Sequence, residues 1–169
     1  QFDSHSDTWD TYFGNFKYTH GTPFRRAIEE DLIDPKKYVI LGLRGGLYDP
    51  DDLKWAIDQG ITIISTDKFY EIGMKETIKI IKDILGDTST YLTFDIDGID
   101  PTFAPGTGTP EVGGINVREA QLVIRELNNL NFIGADVVEV SPPFDVNNMT
   151  SLVGATIAFE ILCTMTKTN

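Results

Sequence analysis

Short apolar runs alternate with longer amphipathic stretches along the chain, and each kind predicts a different element. Residues 37–43, centred on Val39-Ile40-Leu41, form the compact apolar run of a buried strand. Asp49 before Pro50 supplies a cap and a first turn for a helix over 51–59, which Gly60 stops. Ile61-Thr62-Ile63-Ile64-Ser65 is β-branched and reads as the next strand. Ile78, Ile81, Ile84 and Leu85 recur at helical spacing and predict a helix over 75–85, closed by Gly86. Residues 90–94 form another strand. Asn116, with Glu119 three residues on, is the signature of a capping box and predicts a helix running to about Leu130. Residues 132–140 predict a further strand and 149–167 a long helix. A strand reaching Asp3 opens the chain.

Strands that alternate with helices imply β-α-β units, hence an α/β fold whose mainly parallel sheet is covered on both faces. The 169 residues suit one domain with a sizeable core, and no repeat or linker divides them. In such sheets functional residues gather just beyond the carboxyl ends of the strands.

Charge narrows the partners. Fourteen basic against 26 acidic residues give a net charge of −12, which argues against nucleic acid and against an anionic membrane surface. A cationic substrate would be drawn to such a field. No stretch of this sequence reads as the ~18 apolar residues of a membrane span. The single cysteine, Cys163, has no internal disulfide partner and sits in an apolar helical run, where packing is its expected role. With no signal peptide in view, the expected location is the cytoplasm. Gln1-Phe2-Asp3 starts without Met inside a strand, and points to a chain that begins partway through a larger protein.

Three acidic clusters fall where the strand-end rule places chemistry. In Asp3-Ser4-His5-Ser6-Asp7, alternate residues share a face, so Asp3, His5 and Asp7 can aim at one point while small serines leave room. Asp95-Ile96-Asp97 directly follows a buried strand. Two carboxylates this close repel each other and call for a divalent cation, and carboxylates can bridge two cations. Alone, either cluster also reads as a cap or turn. Imidazole plus carboxylates suits manganese, with nickel, zinc and iron(II) left open. Glu139 ends an apolar strand and needs a cation or donors, a structural salt bridge to Arg44 being the bland alternative. His20, in a loop before Gly21, is a candidate proton donor or an ordinary surface histidine.

Phe2-Asp3-Ser4-His5-Ser6-Asp7, His20-Gly21-Thr22-Pro23-Phe24-Arg25-Arg26-Ala27 and the stretch from Phe94-Asp95-Ile96-Asp97-Gly98 through Gly106-Thr107-Gly108-Thr109-Pro110-Glu111 to Gly114 resemble the arginase/agmatinase (ureohydrolase) family. The resemblance runs over essentially the whole chain. It implies a three-layer α/β/α fold with its N-terminal part missing, two divalent cations, manganese first, and hydrolysis of a guanidino group to urea plus an amine. By motif position it implies that Asp3 and Asp95 contact both metals, that Asp7 binds one, and that His5 and Asp97 bind the other. His20 matches a proton shuttle at the active site and Glu139 the glutamate that holds the guanidinium. The family supplies one more metal-binding histidine from an upstream Gly-Gly-Asp-His segment that this sequence does not contain. The expectation is therefore a fragment that alone binds metal poorly and turns over little. The family also implies homo-oligomers, trimers or hexamers, in the full-length protein.

The expected mechanism is attack of hydroxide on the guanidinium carbon, with Glu139 holding the cation, Asp97 relaying a proton to the leaving amine and His20 exchanging protons with solvent. The aromatic loop over residues 8–16 is expected either to read the far end of the substrate or only to pack. Its character favours agmatine, with guanidinobutyrate, guanidinopropionate or another guanidino acid next, over arginine. A noncatalytic homologue, and more distantly a deacetylase of related fold, are the competing readings.

Overall fold

The structure, a computed structural model, describes residues 1–166. Strand β1 (Val39–Leu43) pairs in parallel with β2 (Thr62–Ser65), and β3 (Thr90–Asp95) in parallel with β4 (Phe132–Val138). The first three residues join the two pairs. Phe2 forms parallel bridges to Leu41 on one side and Phe94 on the other. The Asp3 N–H donates to the Leu41 carbonyl at 3.0 Å and the Asp95 N–H to the Phe2 carbonyl at 2.8 Å. The sheet order is thus β2, β1, residues 1–3, β3, β4, all parallel, as the alternating pattern required.

Side-chain alternation splits the interior into two layers. Val39 and Leu41 of β1 share a core with Leu92 and Phe94 of β3. Helices α3 (Thr66–Leu85), α4 (Val117–Glu126) and α5 (Met149–Thr166) cover it. Tyr38, Ile40 and Leu43 point the other way, to Ile28 of α1 (Pro23–Glu29) and Ala56 of α2 (Lys54–Gln59). Every residue of β1 is buried, which is why its sequence shows no polar alternation. The result is the expected three-layer α/β/α arrangement.

Several boundaries differ from the sequence reading. Helix α2 starts at Lys54, not at residue 51 behind Asp49 and Pro50. Aspartates compete with the helix there: Asp49 accepts the Asp51 N–H at 2.8 Å, and Asp52 accepts the Tyr48 and Asp49 N–H groups. Helix α3 begins nine residues early by the pattern, at Thr66, where the Ser65 hydroxyl caps the Lys68 N–H, and Gly73 at φ +80° interrupts it. The pattern detected only the part beyond that break. The capping box of α4 is present as expected, with both reciprocal bonds at 2.8 Å, but the helix ends at Glu126. Strand β4 stops at Val138 because Glu139 turns into the left-handed region at φ +64°. The end of the long helix at Lys167 lies outside the described residues.

Helix α5 corrects the statement that no stretch has the length of a membrane span. Its 18 residues have a mean hydropathy of 1.4, enough by length and composition to cross a membrane. It packs on α4 and β4, and its Glu160 is ion-paired to Arg125 of α4 and accepts from Gln121 at 3.1 Å. These contacts are those of a core helix in an α/β layer. Cys163, on the same helix, is a partly buried free thiol.

Candidate active site

The carboxyl ends of the central strands bring the two aspartate clusters together. Asp3 leaves the sheet between β1 and β3, and Asp95 ends β3, so the backbone pairing itself sets them side by side. The Asp95 carboxylate caps the following 3-10 turn by accepting the Asp97 N–H at 2.8 Å. That turn points Asp97 back at the first cluster. Ser4 donates both its N–H, at 3.0 Å, and its hydroxyl, at 2.7 Å, to Asp97 Oδ1. The other oxygen, Oδ2, lies 3.1 Å from His5 Nδ1, which is also 3.6 Å from Asp3 Oδ1. One donor atom from each of Asp3, His5 and Asp97 falls within 4.8 Å of the other two.

These groups stand at the floor of a pocket of about 620 Å³. Asp7, Asp95, His20 and Glu139 line it together with His5 and Asp97, while Asp3 is buried beneath them. The structure therefore assembles all seven residues singled out in the sequence. Asp7 and Glu139 both sit at positive φ, +51° and +64°, conformations that cost a non-glycine residue about 1–3 kcal/mol each. Phe13, Asp31, Asn147 and Asn148 share this conformation away from the pocket lining. A second cavity, of about 320 Å³, opens at the far ends of the strands with Asp34 as its one carboxylate, and holds none of this chemistry.

Electrostatics confirm how crowded the cluster is. Burial, reinforced by the charges of Asp3 and Asp97, pushes Asp95 up to about 10. Burial and the charge of Asp3 push Asp7 up to about 8. Asp3 is also raised, chiefly by burial. Burial works against the His5 imidazolium, yet bonds to Asp3 and Asp97 outweigh it and drive that group to about 11. Asp97 alone is held below the usual carboxylate range: burial opposes this, but the bonds from His5 and Ser4 prevail. One imidazole against four acids is a deficit of positive charge, and divalent cations are the groups that would balance it.

Glu139 and His20 lie at the exposed rim. Glu139 makes no ion pair among the described residues, and Arg44, the salt-bridge partner considered from sequence, is engaged elsewhere. Its guanidinium donates to the carbonyls of Gly42, Asp97, Gly98, Ile99, Glu111 and Val112. His20 meets the rings of Tyr12 and Phe13 edge-on. The aromatic loop divides between its two expected roles. Trp9 and Tyr12 line the pocket, and the Tyr12 hydroxyl lies 3.2 Å from that of Tyr48, whereas Phe13 and Phe16 are exposed. Sequence reasoning missed Ser4 as a partner of Asp97, and missed Thr109, whose hydroxyl is 3.3 Å from Asp97 Oδ2. A serine between two ligands signals only small size, and Thr109 sits in a loop without periodicity.

The chain is similar to known proteins along almost its whole length. The model of the Arginase family matches residues 1–164. A guanidinopropionase of Pseudomonas aeruginosa is 55% identical over 96% of this chain, which covers 51% of that protein. A mitochondrial agmatinase of Gallus gallus is 41% identical over 96% of the chain, covering 48% of its length. Among solved structures, proclavaminate amidinohydrolase from Streptomyces clavuligerus superposes with a TM-score of 0.94 at 40% identity, over 99% of this chain and 55% of that one. The chain thus spans about half the length of the curated relatives it matches.

Proposed function

This chain belongs to the arginase family, and we propose from that premise that the protein hydrolyses a small guanidino compound to urea and an amine. The observation that carries the reading is the convergence of Asp3, His5 and Asp97 beneath a pocket that Asp7 and Asp95 share and Glu139 faces.

The donor set fits divalent cations. Four acids and one imidazole converge there, and the raised Asp7 and Asp95 mark charge that a cation would stabilise. Asp3, His5, Asp7, Asp95 and Asp97 are the residues that would hold the cations. Cations held there supply Lewis acidity and bring the pKa of water toward neutrality. The chain's own residues do the rest. Glu139, with no ion-pair partner among the described residues, accepts N–H groups of the planar guanidinium and keeps its carbon in line for attack. Asp97, kept as the anion by Ser4 and His5, takes the proton of the attacking water and passes it to the leaving amine. His20, exposed at the rim, would pass separate protons between solvent and the pocket.

The far end of the substrate meets hydroxyls and aromatic rings. Among the described residues no lysine or arginine lines the pocket, so a substrate carboxylate there would meet hydroxyl donors rather than a cation. The Tyr12 and Tyr48 hydroxyls suit the carboxylate of a short guanidino acid, and the 55% identity to a guanidinopropionase supports our putting that class first. Agmatine is the second reading, favoured by the acidic lining, which includes Glu111. Urea release by the full-length protein with guanidinopropionate, guanidinobutyrate, agmatine and arginine tests both. The expected order has guanidinopropionate first and arginine last. Urea from none of them would overturn the reading.

A further inference from the structure

We propose that Glu111 is the positioning residue of His5, and that Arg44 holds Glu111 in place for that task. The proposal rests on the cation-site reading above and adds two residues to it.

The His5 ring has two different sides. Nδ1 faces Asp97, Asp3 and, at 3.1 Å, the Ser4 hydroxyl. Nε2 faces away from the cluster, toward Glu111 Oε1 at 3.7 Å. A ring nitrogen that binds a cation must offer its lone pair, so the ring's N–H must be on the other nitrogen and needs an acceptor there. Glu111 is the carboxylate the fold sets beside that nitrogen. The 3.7 Å separation is longer than a hydrogen bond and closes with a shift of roughly half an ångström, or through one water. Gly45 lets the backbone approach the ring closely on its Cδ2–Nε2 side: a Cβ there would stand 2.6 Å from His5 Cδ2 and 3.0 Å from Nε2. That close backbone and the Glu111 carboxylate together limit where the ring can turn.

Glu111 belongs to a loop with no regular structure, so something else must fix it. Arg44 does so through the backbone. Its Nη2 donates to the Glu111 carbonyl at 2.7 Å and to the Asp97 carbonyl at 2.7 Å. One guanidinium thus ties the loop that carries Glu111 to the turn that carries Asp97, the two segments that contact His5. Arg44 makes no ion pair among the described residues, so its donors serve carbonyls alone. Gly114 leaves the room it needs, since a Cβ there would lie 2.5 Å from Nη2. A lysine offers three donors from one point and cannot span carbonyls on both sides.

The test is a double-mutant cycle on Mn²⁺ affinity in the full-length protein, read by competition with a chromophoric chelator. Glu111→Ala is expected to weaken binding by about 10–100-fold. Glu111→Gln, whose amide oxygen still accepts, should recover most of it. In a His5→Ala background, Glu111→Ala should cost little more. Arg44→Lys should lower affinity while circular dichroism stays unchanged. Wild-type affinity in Glu111→Ala, an undiminished loss in the His5→Ala background, or a change confined to KM would overturn the proposal alone. If the wild-type protein bound no Mn²⁺, the cation-site reading would fall and this proposal with it.

Discussion

Ser4 and Asp97, 93 residues apart in sequence, share a hydroxyl-to-carboxylate bond of 2.7 Å in the buried floor of the pocket. The bond joins the two clusters that the sheet has already set side by side, and with the larger effect of His5 it helps hold the Asp97 carboxyl below its usual range against burial. Ser4→Ala removes the hydroxyl but leaves the N–H bond to the same oxygen. The expected cost is about 1.5–3 kcal/mol, the usual value for a hydrogen bond to a charged group. Urea denaturation of wild type and variant measures it, and equal midpoints would show that the N–H bond alone suffices.

The buried acids predict an unusual pH dependence for protein stripped of metal. Asp7 and Asp95 hold protons in the fold up to about 8 and 10, whereas the unfolded chain releases them near the ordinary aspartate value of 3.8. The folded state therefore carries more protons over that range, and stability falls as pH rises through it. His5 acts in the same direction: its contribution is complete below the ordinary histidine value of 6.5 and is lost as pH rises through about 11. The Tm of chelator-treated protein should drop between about pH 5 and pH 9, and added Mn²⁺ should flatten the slope. A Tm that rose with pH without metal would contradict the burial of this cluster.

His20 touches aromatic rings and solvent, not the acids, so its effect should be on rate. His20→Ala in the full-length protein is expected to slow turnover by about 10²–10⁴-fold with metal content unchanged, the range for loss of a general acid–base group. Steady-state kinetics at saturating substrate checks this; an unchanged kcat would make His20 a surface residue.

Glu139 should separate substrate binding from metal binding. Glu139→Gln keeps the shape and removes the charge that the guanidinium needs. Turnover and substrate affinity should fall while elemental analysis shows the same metal content. Loss of metal in this variant would instead make Glu139 part of the cation site.

Much of this arrangement was legible where local pattern and tertiary role coincide. Val39-Ile40-Leu41 reads as a strand because both its faces are covered, and Asn116 with Glu119 reads as a cap because the bonds are local. The clustering of Asp3, His5, Asp95 and Asp97 was legible because parallel strands deliver their carboxyl ends to one edge. Helix α1 was not, because Thr22 makes no capping bond and Arg26 takes a buried position, held by Asp10 and Glu29 at 2.9 Å, that an apolar residue would otherwise mark. The role of Arg44 was not legible for a related reason. Its partners are carbonyls 53 and 67 residues away, and a carbonyl has no sequence signature.

The most direct test of the account is urea release by metal-stripped full-length protein, followed against Mn²⁺ bound per chain. The account predicts little activity until cations fill the site, full activity when two are bound, and failure of Asp95→Ala to reach either. Full urea release with no cation bound, or metal binding untouched by Asp95→Ala, would contradict it.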